Sequence, residues 1–86
     1  MFTTSRYASK ETRKFAKELA KSSDSAYASR GKKRIKSLVE FARKRGEHRI
    51  CVVLERNKKP IKISFIEVKP DGKWVWLPEE IEVNEA

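Results

Sequence analysis

Apolar positions recur along the chain with two periods, and the changes of period mark its elements. In residues 10–21, Thr12, Phe15, Ala16 and Leu19 share one face at about 100° per residue, while Lys10, Lys14, Lys17 and Lys21 share the opposite one. This predicts an amphipathic helix, opened by Ser9 as N-cap with Glu11 in the first turn and ended by Ser22 to Ser25. A second helical pattern runs from about Lys33 to Arg45, with Ile35, Leu38, Val39 and Ala42 on one face, Phe41 at its margin and Gly46 at the C-cap position. Ile50 to Leu54 is a continuous apolar run, expected of a central strand covered on both faces. Ile61, Ile63 and Phe65 alternate with Lys62 and Ser64, which predicts a half-exposed strand to about Val68. An Asp71-Gly72 turn signal precedes Lys73 to Leu77, a strand with Trp74 and Trp76 on one face. Phe2 to Ser5 and Ala26-Tyr27-Ala28 supply two short strands earlier in the chain. The order β-α-β-α-β-β-β predicts an α/β (α+β) fold, a single mixed sheet with two helices.

The 86 residues, 38 % of them apolar, suffice for one domain that hides about 60–65 % of its unfolded surface. A catalytic domain joined to a separate substrate domain does not fit. With three Gly and three Pro there is no linker-like stretch. The expected division is a domain over residues 1–77 and an acidic tail over 78–86. The tail holds Glu79, Glu80, Glu82 and Glu85 and no cation, and is expected either to be solvated or to fold back on basic surface. No apolar run approaches the roughly 18 residues of a membrane span, and Met1 to Lys10 lacks the apolar stretch of a signal peptide. A cytoplasmic protein with no membrane partner is expected. The absence of Gln, with Asn57 and Asn84 the only amide side chains, leans toward a thermophilic source.

Charge changes the picture more than size does. The chain carries 21 Lys+Arg against 12 Asp+Glu, net +9, which suggests a polyanionic partner. Residues 1–49 hold 15 cations and 5 acids, net +10, whereas residues 50–86 hold 6 and 7, net −1. If the first three strands are parallel with helical crossovers, the loops after them all emerge at the carboxyl edge of the sheet. Those loops carry Arg6 and Lys10, then Arg30, Lys32, Lys33 and Arg34, then Arg56, Lys58 and Lys59.

Arg30-Gly31-Lys32-Lys33-Arg34 puts four cations at the start of the second helix, where the unpaired N–H groups are already partially positive. A bound phosphate resolves that conflict, and Gly31 allows close approach or a positive φ. The plainer reading is a solvated basic turn. Thr3-Thr4-Ser5-Arg6 leading to Ser9 offers a second phosphate contact, although for Ser9 the N-cap role is preferred. The lysine stripe of the first helix reads as a solvated face. Trp74 and Trp76, at i and i+2 on a strand, read as cover for a core or a partner surface before a base-stacking platform.

Catalytic chemistry is poorly supported. Cys51 is the only cysteine and His48 the only histidine, so neither an internal disulfide nor a Cys/His zinc site can form. Gly31-Lys32 lacks the glycine five residues upstream that a Walker loop needs, and Glu11, Glu18, Asp24, Glu40 and Glu47 show no two-metal spacing. His48 and Cys51, at i and i+3, are expected on opposite sides of the sheet and so make no base–nucleophile pair. No catalytic residue, metal or cofactor is expected.

Phe2-Thr3-Thr4-Ser5-Arg6, then Thr12-Arg13, Phe15-Ala16 and Glu18-Leu19, resemble the start of Brix-domain proteins, particularly the short archaeal type. Arg30-Gly31 falls at the family's basic-glycine turn, and Ile50 to Leu54, Glu55-Arg56, Pro60 and Ile61 to Phe65 match its apolar strand, Glu-Arg pair and following strand. The resemblance covers about residues 2–68. It implies a ribosome-biogenesis factor that binds ribosomal RNA or its precursor, with a fold similar to the anticodon-binding domain of class IIa aminoacyl-tRNA synthetases. Asn57-Lys58-Lys59 departs from the glycine-bearing turn of relatives. A complete Brix domain resembles two such halves, of which this chain corresponds to the N-terminal one. The expected RNA-binding residues are Arg6, Arg13, Arg30, Gly31, Lys32, Lys33, Arg34 and Arg56. The alternative is a protein-interaction module of a ribosome-assembly complex, docking an assembly protein or a second copy, as a homodimer, through the Trp74/Trp76 strand.

Overall fold

A computed structural model describes residues 1–83. Its elements are β1 (Phe2–Thr4), α1 (Lys10–Ser22), α2 (Ile35–Lys44), β2 (Arg49–Arg56), β3 (Lys59–Val68) and β4 (Trp74–Glu82). The strands form one mixed sheet in the order β1-β2-β3-β4, with β1 parallel to β2 and the remaining pairs antiparallel.

Alternation along β2 and β3 sends successive side chains to opposite faces, and one helix covers each face. Ile50, Val52, Ile66 and Val68 pack with Leu38, Val39 and Ala42 of α2, all buried. On the other face Val53 and Ile63 pack with Ala16 of α1, flanked by Phe15, Leu19, Cys51 and Phe65. This explains the uninterrupted apolar run in β2, the strand between β1 and β3. The helices form where the apolar period requires. Ser9 caps α1, its hydroxyl accepting from the Thr12 N–H, and the helix buries Thr12, Ala16 and Ala20.

Two elements differ from expectation. The second small strand, Ala26 to Ala28, is reduced to a single parallel bridge between Tyr27 and Phe2. Asp24 turns the chain with φ 51°, and only two backbone bonds to Phe2 form before the chain leaves the sheet: Phe2 N–H to Ala26 O at 2.8 Å and Ala28 N–H to Phe2 O at 2.9 Å. The last strand is longer than Lys73 to Leu77 and runs through Pro78 to Glu82. Pro78 is accommodated because the β3–β4 register breaks there: Ile66 faces Trp76 and Ser64 faces Glu80, leaving Leu77 to Glu79 in a bulge. The acidic segment thus begins as strand, with Glu80 folded onto Lys62 at 3.3 Å and accepting from the Ser64 hydroxyl at 2.9 Å. The rest of that tail, residues 84–86, lies outside the described residues.

Candidate nucleic-acid interface

The parallel arrangement on which the charge argument depends is present. β1, β2 and the Tyr27 bridge all point the same way, so the three following loops leave from one end of the sheet. They are tied together there. The Tyr7 N–H donates to Gly31 O at 3.0 Å, joining the first loop to the second. The Ser9 N–H donates to Glu55 Oε1 and its hydroxyl donates to Lys58 O, both at 2.8 Å, joining the first to the third.

Several residues on this end hold the left-handed backbone conformation. Gly31 has φ 51°, the positive value its position in the basic turn suggested. Asn57 (φ 52°) and Lys58 (φ 63°) form the two-residue turn between Arg56 and Lys59, the geometry of a type I′ hairpin without its usual glycine. The departure from a glycine-bearing turn therefore changes residue type and adds backbone strain.

Of the residues expected to bind RNA, Arg6, Gly31, Lys32, Lys33, Arg34 and Arg56 are exposed at this end, and Arg13 is exposed one turn into α1. Arg34 is the α2 N-cap residue, with no side-chain cap bond and no acid in the first helical turn. The unpaired N–H groups of α2 thus lie among cations, as the sequence implied.

Arg30 departs from the expectation. It is 7 % exposed, donating from Nε to Lys33 O at 2.7 Å and from Nη1 to Thr4 O at 3.1 Å. It is a clamp between the second loop and the end of β1 rather than a freely presented ligand. Burial first, then the neighbouring Arg6 charge, pushes its pKa below the ordinary arginine value. Among the described residues the ion pairs are Lys62 with Glu80 and the N-terminal ammonium with Glu47, so the cations of the three loops form none.

Sequence reasoning passed over Tyr7. Its ring is 70 % exposed, its φ is 54°, and the Arg6 guanidinium lies 5.6 Å from the ring centroid. The available signal was an Arg-Tyr pair in a short loop after a strand, an aromatic with no core to join. A cavity of about 320 Å³ beside the start of α2 is lined by Ser29, Lys33, Ser37 and the exposed ring of Phe41. Cys51 and His48 form no reactive pair: Cys51 lies half-buried on the α1 face, where burial pushes its thiol up, and His48 stands ahead of β2.

Comparison with known proteins identifies the relationship. No protein-family model matches the chain. A probable Brix domain-containing ribosomal biogenesis protein of Pyrococcus abyssi is 36 % identical over 78 residues, which is 90 % of this chain and 34 % of that protein. The protein of the same description from Thermococcus kodakarensis is also 36 % identical over 78 residues, 37 % of its own length. The chain is a homologue of archaeal Brix-domain proteins. Two solved structures share the fold. The archaeal Imp4-like protein Mil superposes with a TM-score of 0.71 at 32 % identity, covering 85 % of this chain and 45 % of Mil. A probable ribosomal biogenesis protein from Aeropyrum pernix gives 0.72 at 34 % identity, over 79 % of this chain and 38 % of that one. The chain thus spans about a third of the length of these curated Brix relatives.

Proposed function

We propose that this chain is a non-enzymatic ribosome-biogenesis factor that binds precursor ribosomal RNA across the carboxyl ends of its parallel strands. The observation that carries the reading is the joining of three basic loops at one end of the sheet, their cations without carboxylate partners among the described residues. Arg6, Lys32, Lys33, Arg34 and Arg56 contact phosphates, with Arg13 at the flank, while the α2 N–H groups supply further donors. Gly31 sets the path of the second loop, and Arg30 holds that loop against β1. Tyr7 offers a ring face to an unpaired base beside those phosphates. The ribosome-biogenesis role is inferred from the Brix relatives.

The test is ultraviolet crosslinking of the chain to precursor ribosomal RNA, with the crosslinked peptides mapped. Crosslinks are expected in residues 5–8, 30–34 and 56–59, with Tyr7 prominent. Crosslinks concentrated in residues 74–82 would reject this surface.

A further inference from the structure

β4 has the residue pattern of an interior strand but occupies an edge. Trp74-Val75-Trp76-Leu77 is an uninterrupted apolar run, like Ile50 to Leu54 in β2, yet among the described residues no strand lies beyond β4. Register puts Trp74 and Trp76 opposite Val68 and Ile66 on the α2 face, and Val75 and Ile81 opposite Glu67 and Ile63 on the α1 face. All four remain 38–54 % exposed. The hydrogen-bond phase leaves the strand open to pairing. The Lys69 N–H donates to Lys73 O and the Val83 N–H to Ile61 O, so alternation turns the backbone groups of Trp74, Trp76, Glu80 and Glu82 away from β3. The devices that guard an edge, Pro78, the bulge from Leu77 to Glu79 and the acids around it, lie in the second half of β4, and no charge or proline interrupts Trp74 to Leu77.

We propose that β4 pairs antiparallel with β4 of a second copy of this chain, making one continuous two-fold symmetric sheet. Charge selects the occupant. The hairpin end of β4 carries Lys69 and Lys73 against Asp71 alone, a net positive charge, whereas the far end carries Glu79, Glu80 and Glu82, of which Lys62 pairs only Glu80. An antiparallel copy sets the cationic end of each strand beside the acidic end of the other, twice over, as an isologous interface requires. RNA is disfavoured here by the three carboxylates. Because β4 runs parallel to β2, the pairing sends the two basic ends to opposite ends of the joined sheet, where neither blocks the other.

Both tryptophans of the chain lie on this strand, so their fluorescence reports the pairing directly. Light scattering across a dilution series of the 86-residue chain is expected to give twice the 10.0 kDa monomer mass at tens of micromolar, with a red shift of Trp emission as the mass falls. Trp76→Lys is expected to yield monomer with unchanged circular dichroism. If that variant misfolds, Lys73→Glu reads the same contact from an exposed position: it weakens the dimer at least tenfold, and Lys73→Glu combined with Glu79→Lys restores it. A chain that stays monomeric at millimolar concentration overturns the proposal. So does a dimer that Lys73→Glu leaves unaltered.

Discussion

The two edges of the sheet are finished in opposite ways. At β1, three residues long, the outer side is occupied by the chain itself: the Tyr27 segment bonds Phe2 in both directions, and Thr3, buried, donates from its hydroxyl to Ala28 O at 2.7 Å. At β4, nine residues long, four large apolar side chains stand exposed and no strand among the described residues pairs with the outer backbone. An edge closed by local chain needs no partner, whereas an open apolar edge is a template for one. The closed side also leads into the basic loops, so the molecule separates an end suited to a polyanion from an edge suited to protein.

The largest expected effect breaks the closed side. Arg30→Met removes both bonds of the clamp and leaves Thr4 O and Lys33 O short of a donor, at a cost of about 2–3 kcal/mol in chemical denaturation. An unchanged midpoint would show that the second loop is held by other contacts. A gain is expected at the strained turn of the basic end. Lys58→Gly relieves a left-handed lysine and adds about 0.5–1 kcal/mol, net of the glycine's greater unfolded-state freedom.

The smallest effect lies on β4 and depends on pH. The Ser64 hydroxyl bond first, and then Lys62, hold the Glu80 carboxylate below its ordinary pKa. A carboxylate depressed in the folded state stabilises above its unfolded pKa, and that stability is lost as pH falls through the folded value. Glu80→Gln should therefore converge with the parent chain in acid and fall slightly below it near neutrality, as thermal melts across pH would record. Parallel curves at all pH values would contradict the assignment.

Much of this arrangement was legible in residue order. Helical spacing at Thr12, Phe15, Ala16 and Leu19, and at Ile35, Leu38, Val39 and Ala42, located both helices and their buried faces. The apolar run of β2 predicted its central place, and the parallel strands placed the basic loops together. What was not legible depended on tertiary geometry. Nothing local distinguishes Arg30 from Lys32 or Arg34, and only the proximity of Thr4 O makes it a clamp. Ala26-Tyr27-Ala28 has the composition of a strand, but the turn at Asp24 limits its pairing. The last strand was expected only over Lys73 to Leu77, and the bulge in the β3–β4 register carries it past Pro78 to Glu82.

The central claim is that the basic end binds RNA by phosphate contact. Its most direct test is the salt dependence of binding to single-stranded precursor ribosomal RNA, for the parent chain and for Lys32→Ala/Lys33→Ala/Arg34→Ala/Arg56→Ala, which leaves the Arg30 clamp in place. With about five to seven phosphates neutralised, log affinity falls against log salt with a slope of roughly −3.5 to −5, and the variant's slope is shallower by about 3 with its melting temperature kept. A flat salt dependence, or a variant with the parent's slope and affinity, would contradict the account.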